Sequence, residues 1–139
     1  MGEKALVESQ ISDGMELVKK LDSRKASPTF AAWYFYADVE DWRFLIAGPA
    51  FDALLPKSEL AAYRIIAEAM ADLEFSSMSI ADVKVVTSHS SLPMTIGTMI
   101  RTSPDALGRY HFTDNYINGV FLKEMFVLRS ATPTTAPAA

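Results

Sequence analysis

Residues 31–48 read AAWYFYADVEDWRFLIAG, and how this stretch folds decides the architecture of the chain. Trp33, Tyr34, Phe35, Tyr36, Trp42, Phe44, Leu45 and Ile46 crowd into it. Aromatic and β-branched residues fit a pleated, half-buried surface, so the segment reads as strand. Asp38-Val39-Glu40-Asp41 interrupts it with acidic residues that suit a turn. With those four residues as the loop of a hairpin, Tyr36 faces Arg43, Phe35 faces Phe44, Tyr34 faces Leu45 and Trp33 faces Ile46.

Side chains alternate across a strand, so the hairpin sorts its residues onto two faces. One face collects Trp33, Phe35, Trp42, Phe44 and Ile46, whose only polar atoms are two indole N–H groups, and is expected to be core. The other collects Tyr34, Tyr36, Arg43 and Leu45 and is only half apolar. Tyr36 and Arg43 are placed for a cross-strand cation–π pair, a contact worth about 0.5–1 kcal/mol where exposed. A helix of the same chain, a partner chain or a ligand could each cover this second face.

Upstream, Val7, Ile11, Gly14, Val18 and Leu21 recur at helical spacing and predict one long helix over residues 4–22. The alternative is a helix that begins at Asp13, with Glu16 completing a capping-box-like pair. A mid-helix glycine is unfavourable by about 1 kcal/mol against alanine, so Gly14 points to close approach by another part of the chain. Residues 22–28 read as a polar loop.

Downstream, Gly48-Pro49 ends the strand and leads to a second helix over about 58–74, with Ser58 at its N-cap and Tyr63, Ile66, Met70 and Leu73 as its buried stripe. Residues 79–88 read as a third strand. Residues 91–101 mix helix and strand signals, and Pro93 near their start tips them to helix. Residues 109–129 are strand-rich, with Asn118-Gly119 a strong two-residue hairpin signal and Lys123-Glu124 a second possible turn. The small, proline-rich residues 130–139 read as a disordered tail.

The expected fold is therefore α+β: a single antiparallel or mixed sheet of about five to six strands, with two main helices packed on one face, in one domain over residues 1–129. The 139 residues suffice for one core, since a chain of this size buries about two thirds of its unfolded surface.

Composition narrows the function classes. The net charge is −4, and the basic residues are dispersed, the densest groups being Lys19-Lys20 and Arg24-Lys25. Nucleic-acid binding, which uses clustered Lys and Arg against phosphates, is not expected. The chain has no cysteine, which removes disulfides and thiolate chemistry. The N-terminal sequence lacks the basic start and apolar run of a signal peptide, and no apolar stretch has the length of a membrane span, so a cytoplasmic protein is expected.

Motifs for chemistry are sparse. His89 stands among Ser88, Ser90 and Ser91, but no GxSxG elbow surrounds them. Asp82 and Lys84 form a D-x-K that a metal-dependent nuclease could use with an upstream carboxylate. The six glycines form no phosphate-binding loop, and no cofactor is expected.

Tyrosine and arginine are favoured at interfaces because they bury large areas and keep polar handles. The expectation is therefore a non-catalytic, self-associating or protein-binding module that uses Tyr34, Tyr36, Arg43 and Leu45. The alternative is a small enzyme or small-molecule-binding domain, with Arg43 and Tyr36 converging on Arg109, His111 and Asp114.

Overall fold

The structure, a computed structural model, describes residues 8–74, 78–117 and 119–131. In chain order the elements are α1 (Glu8–Ser23), β1 (Phe30–Tyr36), β2 (Asp41–Ala47), α2 (Pro49–Asp52) and α3 (Glu59–Ala71). A 3₁₀ turn (Ile80–Asp82), β3 (Val83–Val85), α4 (Ser91–Gly97), β4 (Tyr110–Ile117) and β5 (Val120–Ser130) follow. One five-stranded sheet runs in the order β3-β2-β1-β5-β4, with β3 parallel to β2 and the other pairs antiparallel. The fold is α+β with a single mixed sheet, as the residue pattern implies.

The β1–β2 hairpin forms, with its register two residues from the expected one. Trp33 opposes Phe44, Tyr34 opposes Arg43, Phe35 opposes Trp42 and Tyr36 opposes Asp41. The loop is residues 37–40, because Asp41 joins β2 and its carboxylate accepts the Trp42 amide at 2.8 Å. A slip of two leaves the parity of every side chain unchanged, so the two faces survive it.

Trp33, Phe35, Trp42, Phe44 and Ile46 belong to one buried cluster together with Ile11, Leu17, Val18 and Leu21 of α1 and Ala62 and Ile66 of α3. Trp33 satisfies its buried indole by donating from Nε1 to the Gln10 carbonyl at 3.1 Å. Phe30, Ala32, Leu45 and Ala47 belong to a second cluster, which Ile96 of α4 joins along with Ile117, Leu122, Met125 and Val127 of the β4–β5 hairpin.

Helix α1 passes through Asp13 rather than starting there. The buried Asp13 carboxylate accepts the Met78 amide at 3.0 Å. Val7, the first residue of the expected stripe, lies outside the described residues. The helix ends in a Schellman arrangement: Ala26 N–H donates to Leu21 O and Lys25 N–H to Asp22 O, with Lys25 at φ 62°.

The expected second helix is shorter than 58–74, ending at Ala71, and the four-residue α2 precedes it. The expected strand over 79–88 contracts to Val83–Val85, because Asp82 closes a capping box with Ser79 and holds residues 80–82 in a 3₁₀ turn. Residues 91–97 are helical. The late hairpin pairs Ile117 with Val120, with Gly119 at φ 79°, and Lys123-Glu124 continue β5; Asn118 lies outside the described residues. Strand β5 extends through Ser130, and Ala131 N–H donates to Thr29 O at 2.7 Å, so ordered pairing enters the expected tail; residues 132–139 lie outside the described ones. Among the described residues no helix is long and apolar enough to cross a membrane.

Each sheet edge is modified. On β3 the outward Val85 amide donates to the Tyr63 hydroxyl of α3 at 2.9 Å. On β4 Asp114 adopts φ 48°, and Phe112 and Ile117, of opposite parity, both join the second cluster. The alternation is thus broken between them. A short edge strand and a kinked one both discourage edge-to-edge pairing with another chain.

Candidate functional site

The hairpin places Tyr34, Tyr36 and Arg43 on the sheet face opposite the tryptophans, and all three remain half-buried. Tyr34 and Tyr36, two apart on β1, meet edge-on with centroids 4.8 Å apart and an interplanar angle of 87°. The cation over Tyr36 is Lys84, whose Nζ lies 5.1 Å from the ring centroid. Lys84 comes from β3, opposite Leu45 in the parallel pairing. Arg43 instead donates from one guanidinium nitrogen to Asp41 Oδ2 at 2.9 Å and to the Trp42 carbonyl at 2.8 Å. The register explains this exchange: Asp41, not Arg43, stands opposite Tyr36.

Tyr36, Val39, Arg43 and Lys84 line a shallow groove of about 180 Å³. Val39 sits in the hairpin loop with 63% of its surface open. The Tyr34 phenol is pushed above its ordinary value by burial first, then by Tyr36 and by the negative charge of Asp38. Leu45, expected to share this surface, is 1% exposed and belongs to the second core cluster, so its side chain supports the face from beneath.

The other candidate residues lie apart from the groove. His111 stacks on Phe126 (4.0 Å, 4°), and its Nε2 is 2.8 Å from a Glu124 carboxylate oxygen. Phe126 packs in turn against Trp42, which puts His111 on the tryptophan side of the sheet. Arg109 reaches Glu8 at the start of α1. Asp114 pairs with Lys123 at 3.5 Å. Tyr36 and Arg43 therefore come together, whereas Arg109, His111 and Asp114 each have a different neighbour.

Ser88 and Ser90 beside His89, and Asp82 near Lys84, have structural partners. Ser88 donates from both its amide and its hydroxyl to Asp52. Ser90 donates to Thr87 O at 2.6 Å. His89 is exposed. Asp82 accepts the Ser79 amide at 2.9 Å. Among the described residues no three His, Asp or Glu side chains gather as metal ligands would.

Sequence reasoning missed Lys84 and Val39 as parts of this face. Lys84 carried a signal, since it is the polar residue of an alternating Val-Lys-Val strand, but nothing local says that the strand lies beside β2. Val39 had a weaker one: it is a β-branched residue in a turn whose chemistry does not call for it. Compared with known proteins, the chain matches no family model, no curated protein and no solved structure.

Proposed function

We propose that this chain is a non-catalytic interaction module that self-associates or docks on a protein partner through the tyrosine face of the β1–β2 hairpin. One observation carries the proposal: Tyr36, braced edge-on by Tyr34, lines a shallow groove on the hairpin together with Arg43, the ring-seated Lys84 and the open Val39. Rigid aromatics with polar tips supply large contact area at a small entropic cost, and a groove beside them accepts an anchoring side chain. The interior contributions to the hairpin, Trp33, Trp42, Phe44 and Leu45, fix the shape of the face independently of what covers it. The edges support a face-on mode of docking, since β3 is short with its Val85 amide occupied and β4 is kinked.

Light scattering on the full chain and on Tyr36→Asp tests the proposal. The substitution lies on the half-exposed face, so the fold should persist by circular dichroism. Association with a second copy or with a captured partner should weaken by about tenfold or more, as for loss of an aromatic anchor. Association that is indifferent to Tyr36→Asp would remove this face from the function.

A further inference from the structure

The shallow groove on the tyrosine face has two cations and no carboxylate among its described lining residues. Tyr36, Val39, Arg43 and Lys84 form its walls, and the neighbouring Asp38, Glu40 and Asp41 are not among them. Both oxygens of Asp41 are engaged, Oδ1 with the Trp42 amide and Oδ2 with Arg43 Nη1. Arg43 commits only that nitrogen, which also donates to Trp42 O at 2.8 Å. Its Nη2 and Nε, on a side chain that is 34% exposed, have no partner among the described residues. Lys84 is exposed, and its Nζ rests over the Tyr36 ring with no ion-pair partner among the described residues. Uncommitted guanidinium donors and an ammonium group thus belong to the walls of one groove, beside the apolar Val39 and the Tyr36 ring.

Building on the proposed docking role of this face, we infer that the groove is a carboxylate-binding subsite that takes a glutamate side chain from an acidic segment of a partner protein. Nη2 and Nε of a guanidinium form a planar fork that matches the two oxygens of a carboxylate. Lys84 adds a compact charge with rotatable donors. Volume sets the size of the occupant. The groove holds about 180 Å³, below the roughly 300–1,000 Å³ of sites that enclose a whole small molecule, so it suits a single side chain. The walls set the chemistry: Val39 and the Tyr36 ring offer apolar surface to the methylene stem of a glutamate, which a bare phosphate lacks. The net charge of −4 repels an acidic segment at long range, but salt screens that field beyond about 8–10 Å, and at contact the two groove cations dominate. Because the groove is open to water, each ion pair is weak and salt-sensitive. The subsite therefore fixes the register of the partner more than it sets the affinity.

Two-dimensional NMR of the full chain tests the subsite, with a blocked pentaglutamate peptide as the probe and pentalysine and inorganic phosphate as comparisons. The amide signals of Tyr36, Val39, Arg43 and Lys84 should shift saturably with pentaglutamate, in the millimolar range, and less as salt rises. Pentalysine should leave them unchanged, and phosphate should bind several-fold more weakly. Lys84→Gln and Arg43→Gln, each checked for folding by circular dichroism, should weaken pentaglutamate binding by about threefold to tenfold. Arg43→Lys should fall between wild type and Arg43→Gln, because it keeps the charge and loses the fork. Equal binding by wild type and Lys84→Gln would overturn the subsite. Phosphate binding as tight as that of pentaglutamate would overturn the glutamate side chain as its occupant. If pentaglutamate shifts nothing while Tyr36→Asp still weakens association with a second copy or a captured partner, the acidic occupant is wrong and the docking face stands. If Tyr36→Asp is also without effect, both readings fall.

Discussion

Gly14 and Trp33 touch so closely that a side chain on the glycine has nowhere to go: an ideal Cβ there would lie 2.9 Å from Trp33 Nε1 and 2.9 Å from Phe44 Cε1. Both rings are fully buried and cannot swing aside. Overpacking a core of this kind costs about 1–3 kcal/mol, more than the ~1 kcal/mol of helix propensity that alanine contributes. Gly14→Ala should therefore lower stability, and urea unfolding monitored by tryptophan fluorescence reads the change. A rise in the unfolding midpoint would show that α1 does not seat on the tryptophan face as described.

The opposite outcome is expected at Lys25. This residue holds the left-handed position of the α1 Schellman turn at φ 62°, where a side chain is strained by about 1–2 kcal/mol. Lys25→Gly relieves the strain and gives back part of it through the greater freedom of the unfolded chain. A net gain of up to about 1 kcal/mol is expected from the balance of these two effects. Thermal unfolding of the two proteins side by side measures it, and a loss of stability would contradict the assigned turn.

Arg129 is entirely buried and grips Asp22 with both terminal nitrogens, at 2.8 and 2.9 Å, while also donating to Ala106 O and Pro28 O. Burial alone would raise the Asp22 pKa, but hydrogen bonds from Arg129 and Ser27 and the Arg129 charge outweigh it and hold the carboxyl below its ordinary value of 3.8. A folded pKa below the unfolded one means the pair stabilises the protein above the ordinary carboxylate range. That contribution is lost as pH falls through the depressed value. Asp22→Asn leaves a buried guanidinium uncompensated and should lower stability at neutral pH by about 3 kcal/mol, the low end for a broken buried pair. It should also flatten the acid limb of the stability profile. Urea midpoints followed from neutral pH into the acid range check both.

Tyr34 sets the alkaline side. Its folded pKa lies above 10.0, so the neutral phenol is favoured in the native state. Stability from this source is complete below the unfolded value and declines as pH rises through the folded one. Tyr34→Phe should remove that decline. Asp38→Asn should bring the Tyr34 titration, followed by phenolate absorbance, back toward the ordinary value. An unchanged titration would place Asp38 away from the Tyr34 ring.

The particular residues explain what the sequence could and could not disclose. The two faces of the hairpin were legible because alternation depends on parity, which a register slip of two does not alter. The register itself was not legible, since Asp41 serves equally well as a turn residue or as the first residue of β2, and its bond to the Trp42 amide decides the matter. Gly14 was legible as a close-approach site because a mid-helix glycine has a cost that needs a reason. Leu45 was assigned to the docking face because sequence shows which side a residue is on but not what lies over it. Its cover comes from the second cluster, which gathers residues of α4 and of β5 from far along the chain. Lys84 joins the face only because β3 pairs with β2, a long-range parallel pairing that leaves no local trace.

Hydroxyl-radical labelling of the full chain across a concentration series, in low salt, tests the docking face most directly. Labelling of Tyr36 and Val39 should fall as concentration rises, while Tyr116, 76% exposed near the tip of the β4–β5 hairpin, stays constant. Constant labelling at Tyr36 and Val39, alongside protection that grows at Tyr116 or along β4, would contradict the account and move the interface to the sheet edge.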